Sequence, residues 1–454
     1  MNYIKLPSEL KGFSNTKTDI VKTLSGRDSY LIRGNLKQEE ADCICPLCDG
    51  KMHVHNTYEA NLNHLCFGST LSCLKFSKLR YFCPSCRHTQ MQKVPFQALG
   101  HRMTLPLWQY TRDLLASGMT NKVVGSITGL GKNTVKDIDM QRLKDKYTID
   151  GNKLIQPEKQ AKYLGIDEFK LHDGNKYAVV IIDMETGHIL WIAHGKKKAT
   201  VFAFIEHVGL DWMDGVEAIA CDMNSDFEEA FETMCPHIQV VYDYFHIVKY
   251  FHEKVVNEVR KDEQARLLAE GDFKAAESLK RSKYVLNSSY ETLQRKDEEA
   301  NGGKLHSKGS LLFNKEPVTM KPGYVVRYEN IIELNKLFFS LDLIKEKLAE
   351  AYRATDEVEM AKMIEELMDI CKMTKNEHFR KFYRLLDNHF EGIIAHATYR
   401  ISAGKIEGIN NRIKTIRRQG YGYPDDDYFF LKVFDSSRKT YVRNPGSNKI
   451  PQNL

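Results

Sequence analysis

The chain has 454 residues, 42% of them hydrophobic and 28% charged, with a formal net charge of +6. That length exceeds one ordinary core and predicts roughly two to four domains. No run of about 18 apolar residues occurs, which excludes a membrane-spanning helix, and MNYIKLPSELKGFSN lacks the apolar stretch of a secretory signal.

The chain is therefore expected to stay in the cytoplasm, where thiols are reduced. Its ten cysteines then read as metal ligands or core residues, not as disulfides. The charge excess is too mild to name a partner by itself. A clustered basic stripe would mark a phosphate-binding face.

Seven of the ten cysteines fall between Cys43 and Cys86. Within that stretch CICPLCDG carries Cys45 and Cys48, and YFCPSCRHTQ carries Cys83 and Cys86. Two C-P-x-C turns aim four thiolates at one point, as a tetrahedral structural Zn²⁺ requires. The long segment between them adds little closure entropy. Cys43, Cys66 and Cys73, with His53, His55, His64 and His88 nearby, read as ordinary residues, the alternative being spare or alternate ligands. A domain this small and polar needs the metal to fold.

Residues 104–147 read as three helices. Thr104 caps the first, with Pro106 in its first turn, and Leu107, Tyr110, Leu114 and Leu115 recur at helical spacing. Gly118 ends it, and Thr120 opens a second helix with Val123, Val124 and Ile127 as its apolar face. Leu130-Gly131 is the turn, and Asn133 caps a third helix with Val135, Ile138 and Met140 inward. This is the pattern of a helix-turn-helix DNA reader. Lys132, Asn133, Thr134 and Lys136 would then stand at the reading end of the third helix. The competing reading is a small helical bundle joining two domains.

From Lys162 the pattern becomes strand-rich. YLGIDEF, KYAVVIID and HILWIAH read as three strands, the last two joined by the Glu185-Thr186-Gly187 turn. TVFAFIEHVGL follows as a helix, VEAIACDMN as a strand, FEEAFETMCP as a helix, and HIQVVYDYFHIVKYF as a strand entering a helix. An antiparallel meander followed by two parallel additions is the ribonuclease H-like order. In that order the first and fourth strands are neighbours, which brings Asp167 and Asp222 to one sheet edge. Carboxylates so placed suit phosphodiester chemistry, because they hold two Mg²⁺ (or Mn²⁺) ions roughly 3.5–4 Å apart. Asp243 ends the next apolar run and is either an acid supporting the ligands or a rival ligand, with His246 one turn on. Glu168 alternates to the face opposite Asp167 and is expected outside the site.

Residues 251–395 are charged and mostly helical, with a Gly- and Pro-containing break at NGGKLHSKGSLLFNKEPVTMKPG, and read as an all-helical insertion. GKIEGINNRIKTIRRQGYGY then forms a basic helix. Glu407, Asn411, Lys414 and Arg418 share one of its faces, while Arg412 and Arg417 point elsewhere toward DNA flanks. A solvated basic helix explains the arginines but not IEGINN.

The predicted organisation is an α/β chain. An N-terminal region 1–100 holds a zinc ribbon at about 43–90, and 101–155 form the helix-turn-helix domain. An RNase H-like core is split into 160–250 and 396–440 by the insertion 251–395, and 441–454 form a tail.

GIDEFK with KYAVVIID behind it, ACDMN, VVYDYFHIVK, IEGINNRIKTIRRQGYGY and the CPLC…CPSC pair together resemble the DDE transposases of bacterial insertion sequences, of the L3 insertion-sequence family. The resemblance covers nearly the whole chain. It implies Asp167, Asp222 and Glu407 as the catalytic Mg²⁺ ligands, two ions per site, and a nucleoid-associated protein. It also implies binding to double-stranded DNA, both element ends and target, by a homodimer or higher synaptic oligomer. The family often has TNARAEG before the glutamate, where this chain has ISAGKIEG. Two rival readings are a DNA-binding regulator whose core has lost activity and a nuclease acting on RNA–DNA hybrids.

Overall fold

The computed structural model describes residue 10 and residues 12–174, 176–195, 197–223, 225–301, 323–401, 404–420 and 422–438. The tail 441–454 and most of the Gly- and Pro-containing break lie outside the described residues. The chain divides into two compact units, one of 1–155 with 415–436 and one of 156–414 with 437–454. Residues 415–436, expected within the core segment 396–440, thus group with the N-terminal residues.

The first unit opens with strands β1 (Phe13–Lys22), β2 (Asp28–Leu36), β3 (His53–Phe67), β4 (Thr70–Phe82) and β5 (Thr89–Met91), in the order β1-β2-β4-β3 with β5 on β4. The 34 residues between the cysteine pairs are therefore mostly a β-hairpin, not a loop. Its antiparallel register pairs His53 with Phe82, which brings the two C-P-x-C turns to the same end. Ile32, Leu62, Leu74, Phe76 and Phe96 form the sheet's own core.

Three helices follow: α1 (Leu105–Ala116), α2 (Asn121–Thr128) and α3 (Lys132–Tyr147). Leu107, Leu115, Val124, Val135 and Ile138 pack in their shared core. Thr104 occupies the N-cap of α1, but its hydroxyl bonds the buried His64 ring at 2.9 Å and does not cap the helix. Thr120 does cap α2, accepting from the Val123 N–H. The N-cap of α3 is Gly131, so Asn133 lies inside the helix, contrary to the expected cap. Val123 is exposed and Met140 half-buried, whereas Leu143 and Tyr147 complete the inward face.

The second unit carries strands β6 (Tyr163–His172), β7 (Lys176–Asp183), β8 (Ile189–His194), β9 (Ala218–Cys221) and β10 (Gln239–Tyr242), in the order β8-β7-β6-β9-β10. β6, β7 and β8 are antiparallel, and β9 runs parallel to both β6 and β10. The Glu185-Thr186-Gly187 turn forms as predicted, with the Asp183 carboxylate accepting from the Glu185 N–H and Gly187 in the left-handed region. Helices α4 (Lys198–Val208) and α5 (Ser225–Met234) cover the sheet through Val201, Phe204, Phe227 and Phe231.

After β10, α6 (Tyr244–Tyr250) passes through a π-helical turn, Phe251–Val256, into α7 (Asn257–Ala269). Residues 273–301 and 324–332 add shorter helices, followed by α8 (Lys336–Ala351), α9 (Glu357–Met373), α10 (Glu377–Asn388), α11 (Phe390–Ile394), α12 (His396–Tyr399) and α13 (Gly404–Gln419). Among these, Phe338, Ile344, Ile364, Phe379 and Phe382 belong to the same core as the sheet. Gly392 makes the return possible: a Cβ there would stand 2.5 Å from the Tyr242 ring, so only glycine lets α11 lie against β10. The last helix, α14 (Asp426–Ser437), packs within the first unit against α2 and α3.

No helix among the described residues is long and apolar enough to cross a membrane.

Candidate functional site

The parallel registers decide which acids meet. Gly165 of β6 is level with Ala220 of β9, and Cys221 of β9 is level with Tyr242 of β10. Continuing those rungs puts Asp167, in the middle of β6, level with Asp222 and Asp243, the residues that follow β9 and β10. Between β6 and β9 the connections turn in opposite directions, which is where open α/β sheets bind their ligands.

A cavity of about 1030 Å³ lies there. Asp167, Asp222, Asp243, His246, Glu407, Asn411 and Lys414 all line it. Arg412, Arg417 and Arg418 do not; Arg418 lies about three turns beyond Glu407 along the same helix. Glu168 lines the cavity as well, against the expectation from strand alternation. The reason is local: beyond Gly165, β6 pairs only with β7, so its other edge borders the cleft.

Two contacts fix Glu407. Its near neighbour Lys405 donates to the Met184 and Glu185 carbonyls at 2.6 and 2.7 Å, pinning the start of α13 to the β7–β8 turn. The adjacent Ile406 packs over Gly165, where a Cβ would come within 2.9 Å of the Ile406 side chain and 2.5 Å of the Met184 sulfur. The buried face of α13 is Ile406, Ile409 and Ile413, which turns Glu407, Asn410, Asn411 and Lys414 to the cavity.

Asp167 accepts from the Glu168 N–H at 2.7 Å and from the Asn410 side-chain amide. Burial pushes its carboxyl above the usual range, and the Glu168 N–H, His246, Asn410 and Lys249 partly oppose that. Asp243 is buried and caps α6 by accepting from the Phe245 N–H at 2.9 Å. Asn410, Lys249, Arg353 and Arg400 also line the cavity and were not singled out from the sequence. Asn410 stands three residues after Glu407, so the helical offset that selected Asn411 would also have found it.

The cysteine centre is in the first unit. Among the described residues, Cys45, Cys48, Cys83 and Cys86 are the group whose ligand atoms all lie within 4.8 Å of one another. Cys45 and Cys86 sulfurs are 3.4 Å apart, and Cys48 and Cys83 sulfurs 3.5 Å. A tetrahedral zinc–thiolate shell with bonds near 2.3 Å spaces its sulfurs by about 3.8 Å. The two turns are duplicates: the Asp49 N–H bonds the Cys45 carbonyl and the Arg87 N–H bonds the Cys83 carbonyl, both at 2.9 Å. Asp49 and Arg87 both take the left-handed conformation. The Cys86 backbone N–H leads in lowering the Cys83 thiol to about 6. At Cys48 the Gly50 N–H favours the thiolate, but the three partner sulfurs outweigh it and push the thiol up to about 12. Such a set needs a cation to carry four thiolates together. His64 is occupied by Thr104, and Cys43 accepts from the Gln38 amide, so neither belongs to the four-sulfur group.

At the start of α3 Lys132 and Asn133 are exposed and Thr134 half-buried. Lys136 is engaged, with its ammonium 2.7 Å from the Asp425 carboxylate and over the Tyr428 ring.

A transposase family model, that of the L3 insertion sequences with DDE chemistry, matches residues 164–433. The chain belongs to this family of DDE transposases. It is 26% identical over 400 residues to the transposase for insertion sequence element IS1001 of Bordetella parapertussis, covering 88% of this chain and 89% of that one. It is 22% identical over 275 residues to the transposase for insertion sequence element IS1557 of Mycobacterium tuberculosis, 60% of each chain.

Proposed function

We propose that this protein binds the terminal inverted repeats of its insertion sequence and catalyses Mg²⁺-dependent DNA cleavage and strand transfer. The observation that carries the reading is the single cavity into which β6, the end of β9 and α13 bring Asp167, Asp222 and Glu407. The strand order β8-β7-β6-β9-β10 suits an RNase H-like core, with the helices after α6 as its insertion.

The donor set fits the metal. Carboxylate oxygens are the hard ligands Mg²⁺ or Mn²⁺ prefers. When bound, such ions lower the pKa of water and stabilise charge on the attacking and leaving oxygens. Asp167, Asp222 and Glu407 would together hold the ions at this cavity. The Asn410 amide holds the Asp167 carboxylate in orientation. Asp243 and His246 support the row from β10 and α6. Lys414 and Asn411 face the phosphates of the strand, which water attacks at the element end and whose freed 3′-OH then attacks target DNA.

Lys132, Asn133 and Thr134 read the element end, and Arg412, Arg417 and Arg418 hold flanking DNA. Lys136, bound to Asp425, acts on that surface by positioning. The cysteine centre holds structural Zn²⁺. Two ends require two active sites, so the working form is a homodimer or a higher assembly on DNA.

The test uses a duplex carrying the element end, taken from the DNA flanking the gene. Glu407→Gln should abolish cleavage with Mg²⁺ while leaving end binding intact. Strand transfer by that variant on pre-cut ends would overturn the assignment.

A further inference from the structure

The cavity is not purely acidic. Lys249, Arg353, Arg400 and Lys414 line it beside the carboxylates, and all four are exposed. Among the described residues none of the four has a carboxylate partner within ion-pair distance. Lys414 belongs to the helix of Glu407 and Lys249 to the helix after β10. The two arginines come from elsewhere, and they carry a different meaning.

Arg353 stands in the turn that ends α8, inside the helical segment that follows the strands. Arg400 is the C-cap of α12 and takes the left-handed conformation, with φ 46° and ψ 36°. A side chain other than glycine, asparagine or aspartate is uncommon in that conformation, and such residues gather where a site requires them. Both positions are anchored through one chain of rings. Tyr244 contacts Tyr352 with ring centroids 4.9 Å apart, and Tyr352 contacts His396 at 4.8 Å. Tyr352 precedes Arg353, and His396 opens the helix that Arg400 closes. The Thr398 hydroxyl also bonds Glu357 of α9, which ties α12 to the helical segment. The guanidinium groups are thus free at their tips and fixed at their bases.

We infer that Arg353 and Arg400 bind backbone phosphates of the DNA strand beside the scissile bond, so that the helical insertion forms part of the substrate site. The inference rests on the reading of this cavity as the site of DNA cleavage. Cations left unpaired beside a row of acids suit a polyanion threaded through the site, and arginine's planar fork matches phosphate oxygens two at a time. An insertion serving only as a spacer has no need of an unpaired arginine at the cavity wall.

Binding and cleavage are measured with full-length protein on a duplex ending at the cleaved element end, with an internal duplex lacking that end as control. Binding is followed in Ca²⁺ across a salt series. Deleting one phosphate-binding cation lowers the slope of log affinity against log salt by about one. Arg353→Ala and Arg400→Ala should each lower the slope on the end duplex by about one and weaken binding about tenfold, with no change on the control. Arg353→Lys and Arg400→Lys should keep the slope, because the charge remains. Both arginines are exposed, so thermal melting should be unaffected. An unchanged slope and affinity in both alanine variants overturn the inference, whether or not the wild type cleaves. Absence of Mg²⁺-dependent cleavage by the wild type, with the slopes still altered, overturns the cleavage reading and leaves these phosphate-binding roles standing.

Discussion

Gly165 shows how a single residue sets the distance between two metal-ligand candidates. It lies two residues before Asp167, and the atoms a Cβ would strike belong to Met184 and Ile406, the latter adjacent to Glu407. Those atoms are the far ends of flexible side chains, so alanine should be partly accommodated and valine much less so. Overpacking of this kind costs about 1–3 kcal/mol. The larger effect is on geometry, because a shift of about 1 Å at a reacting centre lowers rates by roughly a hundredfold. Gly165→Val should therefore still fold, melt a few degrees lower, and cleave element-end DNA at least tenfold more slowly, with Gly165→Ala in between. Full activity in the valine variant would show that α13 does not depend on this contact. The glycine was in view in the sequence as part of GIDEFK, but its role was not legible, because Ile406 is 241 residues away and meets it only in the fold.

At the scale of elements, apolar runs bounded by turns made the strands readable, and strand order then made Asp167 and Asp222 neighbours. The same logic shows why Asp243 resembled Asp222 so closely: β9 and β10 are parallel and in register, so the two residues following them occupy one rung. What could not be read was long-range helix packing, including Arg353 at the cavity and α14 on α3. α14 contributes a buried polar network there. Asp139 of α3 bonds Arg142, Lys432 and the Tyr428 hydroxyl, and Arg142 also reaches Asp435. Burial alone would raise the Asp139 carboxyl, but the charges of Lys432 and Arg142 and the hydrogen bonds from Lys432 and Tyr428 hold it below its ordinary value. A depressed carboxyl contributes stability that is complete above its unfolded pKa and is lost as pH falls through the folded one. This network should therefore be intact at neutral pH and weaken below about pH 4. Removing one partner of a buried ion pair typically costs about 3–5 kcal/mol. Asp139→Asn should lower the melting temperature of the first unit at pH 7 and flatten its loss of stability between about pH 4 and 2. An unchanged acid profile in the variant would place the acid sensitivity elsewhere.

For the whole molecule, the consequence of the cysteine centre depends on how the cores are divided. The apolar cluster at the cysteine end contains Cys45, Met52, Tyr81 and Cys83, so half of it consists of the candidate ligands themselves. The sheet core around Ile32, Leu74 and Phe96 and the helical core around Leu107, Val124 and Ile138 are separate clusters, as is the large core of the second unit. A structural zinc site contributes roughly 10–16 kcal/mol, more than the two buried side chains that are not ligands, Met52 and Tyr81, can supply when burying each is worth about 1.5–3 kcal/mol. Metal loss should therefore unfold the cysteine end first. Its reach is set by β4, which passes from the sheet core at Leu74 and Phe76 to Tyr81 without a break and ends one residue before Cys83. Treating the full-length protein with a zinc chelator should remove hydrogen-exchange protection from residues 43–52 and 79–91 while amides of β6, β7 and β9 keep theirs. Cys83→Ser should give the same pattern without chelator. Loss of protection across residues 156–414 would mean that the units do not fold independently, and full protection at 43–52 would mean that the four sulfurs need no metal to stay together.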